Sequence, residues 1–94
     1  MEWLEIIKVR MGDSGGRRID AGYLQQMKDA LKRPASTLVN ARMYNNVSVA
    51  NDLVIVLTWR APIPEPWGSD LASSLAHELK RYGLVDYSAW AGTD

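Results

Sequence analysis

Cysteine is absent from this sequence. That removes disulfides, thiolate catalysis, zinc–thiolate sites and iron–sulfur clusters together. Net charge is absent as well, because eleven Lys and Arg balance eleven Asp and Glu. A neutral domain has no long-range field to gather phosphate backbones or anionic lipid, so neither nucleic acid nor a membrane is expected as a partner. The longest apolar run, Leu53–Leu57, is far too short to span a bilayer, and Met1-Glu2-Trp3 does not resemble the start of a signal peptide. The expected location is cytoplasmic. Phenylalanine is missing too, yet four Trp and four Tyr supply aromatic side chains with polar handles.

The 94 residues, 47% of them hydrophobic and 23% charged, have globular proportions and suffice for one domain, residues 1–94. A domain this small hides only about two-thirds of its unfolded surface, so burial against a partner subunit would help it.

Along the chain, Trp3–Met11 reads as a strand with Trp3, Ile7, Val9 and Met11 on one face and Leu4 and Ile6 on the other. Gly12–Arg18 is a loop by composition. Its glycines and arginines match neither the Walker nor the GxGxxG spacing, which leaves it a connector. Asp20 can cap a helix to about Arg33, stopped by Pro34, with Tyr23, Leu24, Met27, Ala30 and Leu31 on one side. Thr37–Tyr44 forms a second strand, with Leu38, Asn40, Arg42 and Tyr44 on one face and Thr37, Val39, Ala41 and Met43 on the other. Asn45-Asn46 and Asn51-Asp52 are turn pairs that bracket a loop or irregular hairpin. Leu53–Arg60 is the third strand, apolar on both faces and so covered on both. Pro62, Pro64 and Pro66 stiffen the connector to a second helix, which Ser69 caps and which runs to Tyr82. Gly83 is placed for a left-handed C′ position, with Leu84 folding back on Leu79. Leu84–Trp90 is the last strand.

Strand, helix, strand, strand, helix, strand is the order of a ferredoxin-like α+β domain, βαββαβ. Two right-handed crossovers put both helices on one face of a four-stranded antiparallel sheet. The other face would be bare in a monomer although the first and third strands offer apolar side chains to it, so a face-to-face homodimer is expected. The layout, most of all Asn51–Trp90 with its Trp-ended third strand, helix and Trp-ended last strand, resembles the dimeric α/β-barrel superfamily and its antibiotic-biosynthesis-monooxygenase-like proteins. The resemblance implies a dimeric α/β barrel. Cofactor-independent oxygenases of that group hold polyphenolic substrates in an aromatic-lined pocket, which implies a small aromatic ligand here.

Six residues are candidates for binding. Asn40, Arg42 and Tyr44 share one strand face and are able to hold substrate or steady an oxyanion. Trp59 and Trp67 are able to line a pocket for a planar ligand. His77 is the one histidine, but on a helical wheel it lies roughly 180° from the side defined by Leu71, Ala72, Leu75, Ala76, Leu79 and Tyr82, on the solvent side. Superfamily members that degrade haem use a helix-two histidine, a nearby tryptophan and a first-strand asparagine. Here Ile6, Ile7, Lys8 and Val9 fill the middle of the first strand, so no cofactor is expected. Glu2, Glu5, Asp86 and Asp94 are scattered without ligand or catalytic spacing, and no metal site is expected. The functional expectation is a dimeric binding or accessory module. The alternatives are a monooxygenase-like enzyme acting on an aromatic molecule and a small-ligand-sensing domain.

Overall fold

A computed structural model describes residues 2–10, 22, 25, 26, 29, 37–49, 52–63 and 68–93. Four strands, β1 (Glu2–Arg10), β2 (Leu38–Asn45), β3 (Leu53–Arg60) and β4 (Leu84–Ala91), form one antiparallel sheet in the order β2-β3-β1-β4. With the helix Asp70–Leu79 this is an α+β domain, consistent with a ferredoxin-like fold. The two central strands are the ones whose sequences are apolar on both faces. The edges fall to β2 and β4, which carry Asn40, Arg42, Asp86 and Ser88 (side chains that blunt edge-to-edge pairing).

Register puts Ile7 between Ile55 and Tyr87, and Glu5 between Leu57 and Ala89. One sheet face therefore gathers Trp3, Ile7 and Val9 from β1 and Leu53, Ile55, Leu57 and Trp59 from β3. Ala72, Leu75 and Leu79 close this core from the helix. Those three helical positions follow the three- and four-residue spacing that makes one stripe of a helix.

Of the segment read as a first helix, Gly22, Gln25, Gln26 and Asp29 are described. They are helical and exposed, and Gln25 Nε2 donates to Asp29 Oδ1 at 3.1 Å, one turn on. The apolar side of that segment, Met11, the loop Gly12–Arg18 and Trp67 lie outside the described residues.

Two local expectations need correction. The helix stops at Leu79 rather than Tyr82, and the chain turns out of it with Tyr82 N donating to Leu79 O at 3.0 Å. The positive φ falls at Gly68 (112°), ahead of the helix, rather than at Gly83, and Leu84 is exposed instead of folding back on Leu79. A turn closed three residues back leaves no left-handed C′ site for glycine to fill. In β2 the alternation breaks between Leu38 and Asn40, where the pairing with β3 shifts. The bulge turns Leu38 to the core side with Ala41 and Met43 and leaves Val39 exposed, so Leu38 does not share a face with Asn40, Arg42 and Tyr44.

Candidate functional site

The chemically distinctive point of the core is Glu5. Alternation along β1 sets it on the same face as Trp3, Ile7 and Val9, and its side chain is 0% exposed. A carboxylate there loses its water and must be repaid in hydrogen bonds. Four donors converge on it. Oε1 accepts from Trp59 Nε1 at 2.7 Å and Ser69 Oγ at 2.5 Å, and Oε2 accepts from Ser69 N at 2.9 Å and Tyr87 Oη at 2.5 Å. A carboxylate offers about four lone-pair positions, so these donors fill it.

Each donor is delivered by an element the sequence dictates. Trp59 ends the core face of β3, and Tyr87 lies across from Ile7 on β4. Ser69 is the helix N-cap, and its Oγ also accepts from Ala72 N at 3.0 Å, so one hydroxyl links the carboxylate to the first turn. The helix N-terminus adds a favourable field for the negative charge. Gly68 makes the approach possible. Its φ of 112° suits only glycine, and a Cβ there would sit 3.3 Å from Tyr87 Oη.

Tyr87 is held in its protonated form. Its pKa is raised well above the ordinary tyrosine value, first by burial, then by its hydrogen bond to Glu5, then by the Glu5 charge. Above about pH 10 a tyrosine in the unfolded chain releases its proton while folded Tyr87 keeps it, so stability falls as pH rises through that range. Chemical denaturation from pH 8 to pH 11 should show this fall, and Tyr87→Phe should make it shallower. An equal slope in both proteins would sink the assignment.

Trp3 lies over Trp59 with ring centroids 6.1 Å apart and planes 21° apart. Its Nε1 is buried and has no hydrogen-bond partner among the described residues. The two indoles thus differ in one respect, since Trp59 donates to the carboxylate and Trp3 donates to nothing described. Trp59→Phe and Trp3→Phe remove the same atoms. The first breaks a bond to a charged group and the second removes an unpaired donor, so Trp59→Phe should cost about 2–3 kcal/mol more in urea unfolding. Equal losses would show that the Glu5 bond contributes nothing.

The opposite sheet face is open among the described elements. Across the strands it reads Tyr44–Val54–Lys8–Asp86, then Arg42–Val56–Ile6–Ser88, then Asn40–Thr58–Leu4–Trp90. Leu4, Ile6, Val54 and Val56 form a half-buried apolar centre. Around it stand Arg42, Tyr44 (50% exposed) and Trp90 (59% exposed), whose Nε1 donates to Ser88 Oγ at 2.8 Å.

No family model matches the chain, and no curated protein matches it. Among solved structures it is similar to Rv0793 from Mycobacterium tuberculosis, at 15% identity and a TM-score of 0.65, over 100% of this chain and 97% of that one. At this identity the likeness shows the fold alone.

The five described candidates for binding do not converge. Asn40, Arg42 and Tyr44 sit together, exposed, on the open face of β2. Trp59 is on the other face, buried, with its N–H on Glu5. His77 is exposed on the helix. Among the described residues no group of three or more His, Asp or Glu is placed to hold a metal ion, and no helix is long and apolar enough to cross a membrane. Sequence reasoning missed Glu5, Ser69 and Tyr87 as one cluster. The available signal was Glu5 itself, a lone charge between Trp3 and Ile7 on an otherwise apolar face.

Proposed function

We propose that the chain is a homodimeric binding module whose two sheets pack by their open faces, closing an α/β barrel. The observation that carries this reading is the half-buried Leu4, Ile6, Val54 and Val56 patch framed by Arg42, Tyr44 and Trp90. Aromatic and arginine side chains around an apolar centre are the composition of an interface core. Lys8 and Asp86 put both signs of charge on one face, as a self-complementary two-fold contact needs. Strand spacing and rise give the face a flat footprint of roughly 500 Å². Side-chain relief raises the accessible area toward the roughly 800 Å² per partner of a standard interface.

Binding is favoured over catalysis by the state of the polar groups. Glu5 has its oxygens filled and Tyr87 is held protonated, so neither is poised as a general base. The Trp3–Trp59 pair packs the core instead of lining an open pocket. Sedimentation equilibrium tests the dimer, and a monomer at tens of micromolar would overturn it. Oxygen uptake with hydroquinone or anthrone tests the monooxygenase-like alternative, and turnover would replace the module reading.

A further inference from the structure

A cleft of about 320 Å³ opens where β1 ends beside the β2–β3 turn. Its apolar floor is the half-buried Val54, which pairs with Lys8, while the neighbouring Val9 and Leu53 turn their side chains into the core on the other face. Tyr44, opposite Val54, supplies an aromatic wall and a hydroxyl. The described part of the turn at the far wall, residues 46–49, is held by its own hydrogen bonds. Asn46 N donates to Asp52 O at 3.0 Å, and Asn46 Oδ1 accepts from Ser48 N at 2.8 Å and Val49 N at 3.1 Å. A wall already ordered loses little entropy when a ligand arrives.

The cleft's charges are unbalanced. Lys8 and Arg10 project to it and have no ion-pair partner among the described residues, where the ion pair is Arg60–Glu2 at the other end of β1. Within the cleft one carboxylate, Asp52, stands against these two cations, with Asp86 across from Lys8 on β4 outside it. The excess positive charge sits over an apolar floor at the small end of the volume range for small-molecule sites.

We propose that this cleft binds a small aromatic carboxylate carrying a hydrogen-bond donor, such as a hydroxy- or amino-substituted aromatic acid. Arg10 and Lys8 take the carboxylate, Arg10 through its planar fork. Val54 and the Tyr44 ring take the aromatic body, and Asp52 accepts from the donor group. The proposal names the ligand class for the binding-module reading. It rests on that reading, and because Lys8, Tyr44 and Val54 also stand on the open face, a bound ligand and a second copy compete for them.

The test is an amide-resolved NMR titration of the full chain with benzoate, 4-hydroxybenzoate, benzamide and inorganic phosphate. The two carboxylates should move the Lys8, Arg10, Tyr44 and Leu53 signals, and neutral benzamide should bind roughly tenfold more weakly or worse. Lys8→Gln and Arg10→Gln alter exposed side chains, so the fold should persist, visible as unchanged signals elsewhere, while carboxylate affinity falls roughly tenfold. Asp52→Asn should weaken 4-hydroxybenzoate relative to benzoate, which loses a repelling charge and should bind no worse. No shifts with either carboxylate up to about 10 mM, a level that detects even millimolar binding, would overturn the site. So would benzamide binding as well as benzoate, or affinity indifferent to Lys8 and Arg10. Phosphate binding as tightly as benzoate would overturn the aromatic assignment. Sedimentation of the same sample reports the dimer separately, so the two failures are distinguishable.

Discussion

Glu5→Leu should destabilise the domain by about 3–5 kcal/mol, the range for removing one side of a buried charged network. The loss follows from what stays behind. Trp59 Nε1, Ser69 N, Ser69 Oγ and Tyr87 Oη all donate to this one carboxylate, and leucine accepts nothing. Each abandoned buried donor costs about 1–3 kcal/mol where water cannot reach it. Ser69 and Tyr87 are only partly buried and recover some bonding to water, which keeps the total below the sum of four. Glu5→Gln keeps the shape and one acceptor but turns an NH₂ toward two donors, so it should fall between wild type and Glu5→Leu. For a domain of this size 3 kcal/mol lowers Tm by more than ~10 °C. Urea melts of the three proteins check the ranking. A Glu5→Leu protein within about 1 kcal/mol of wild type would mean that the donors find other partners.

The second large effect concerns the open face. Val56→Glu should reduce dimer affinity by at least about a hundredfold, or 2.7 kcal/mol. Val56 lies directly across from Ile6 on one side and Arg42 on the other. In the monomer the new carboxylate gains Arg42 as a cross-strand partner, a pair that contributes roughly 0.2–1 kcal/mol. In a face-to-face dimer two such charges are pressed into the apolar centre, where desolvation of each ion costs several kcal/mol. Thermal melts at low protein concentration should therefore change little while the sedimentation constant drops to that of a monomer. Dimerisation that survives the substitution would move the interface to another surface.

Much of the architecture was legible because it rests on short-range patterns. The apolar alternation of Leu53–Arg60 gave that strand its observed bounds, and Ser69 before an apolar stripe marked the N-cap. The missed details depend on geometry rather than composition. Leu38 reads as a partner of Asn40 until a bulge reverses it, and a bulge is set by pairing with β3, which local sequence does not encode. Gly83 looked like a helix terminator because glycine usually is one, yet the left-handed residue is Gly68, where Tyr87 Oη comes close. The Glu5 cluster was the least legible part. Its donors come from 54, 64 and 82 residues away, so no window of sequence contains it. The candidate residues Asn40, Arg42 and Tyr44 were readable as a strand face, but what that face meets is not encoded in any local pattern.

The strand order has a consequence for how the chain is made. β1 is synthesised first, yet its two neighbours in the sheet are β3 and β4, the last strands to emerge. A ribosome adds roughly 5–20 residues per second, so for some seconds the nascent chain carries a sticky, unpaired central strand with a carboxylate among its apolar side chains. In that interval Glu5 is a charge within an apolar run, the placement by which sequences commonly disfavour self-association. The carboxylate that gathers four donors in the finished domain has none of them within reach until β3, the helix and β4 have been made.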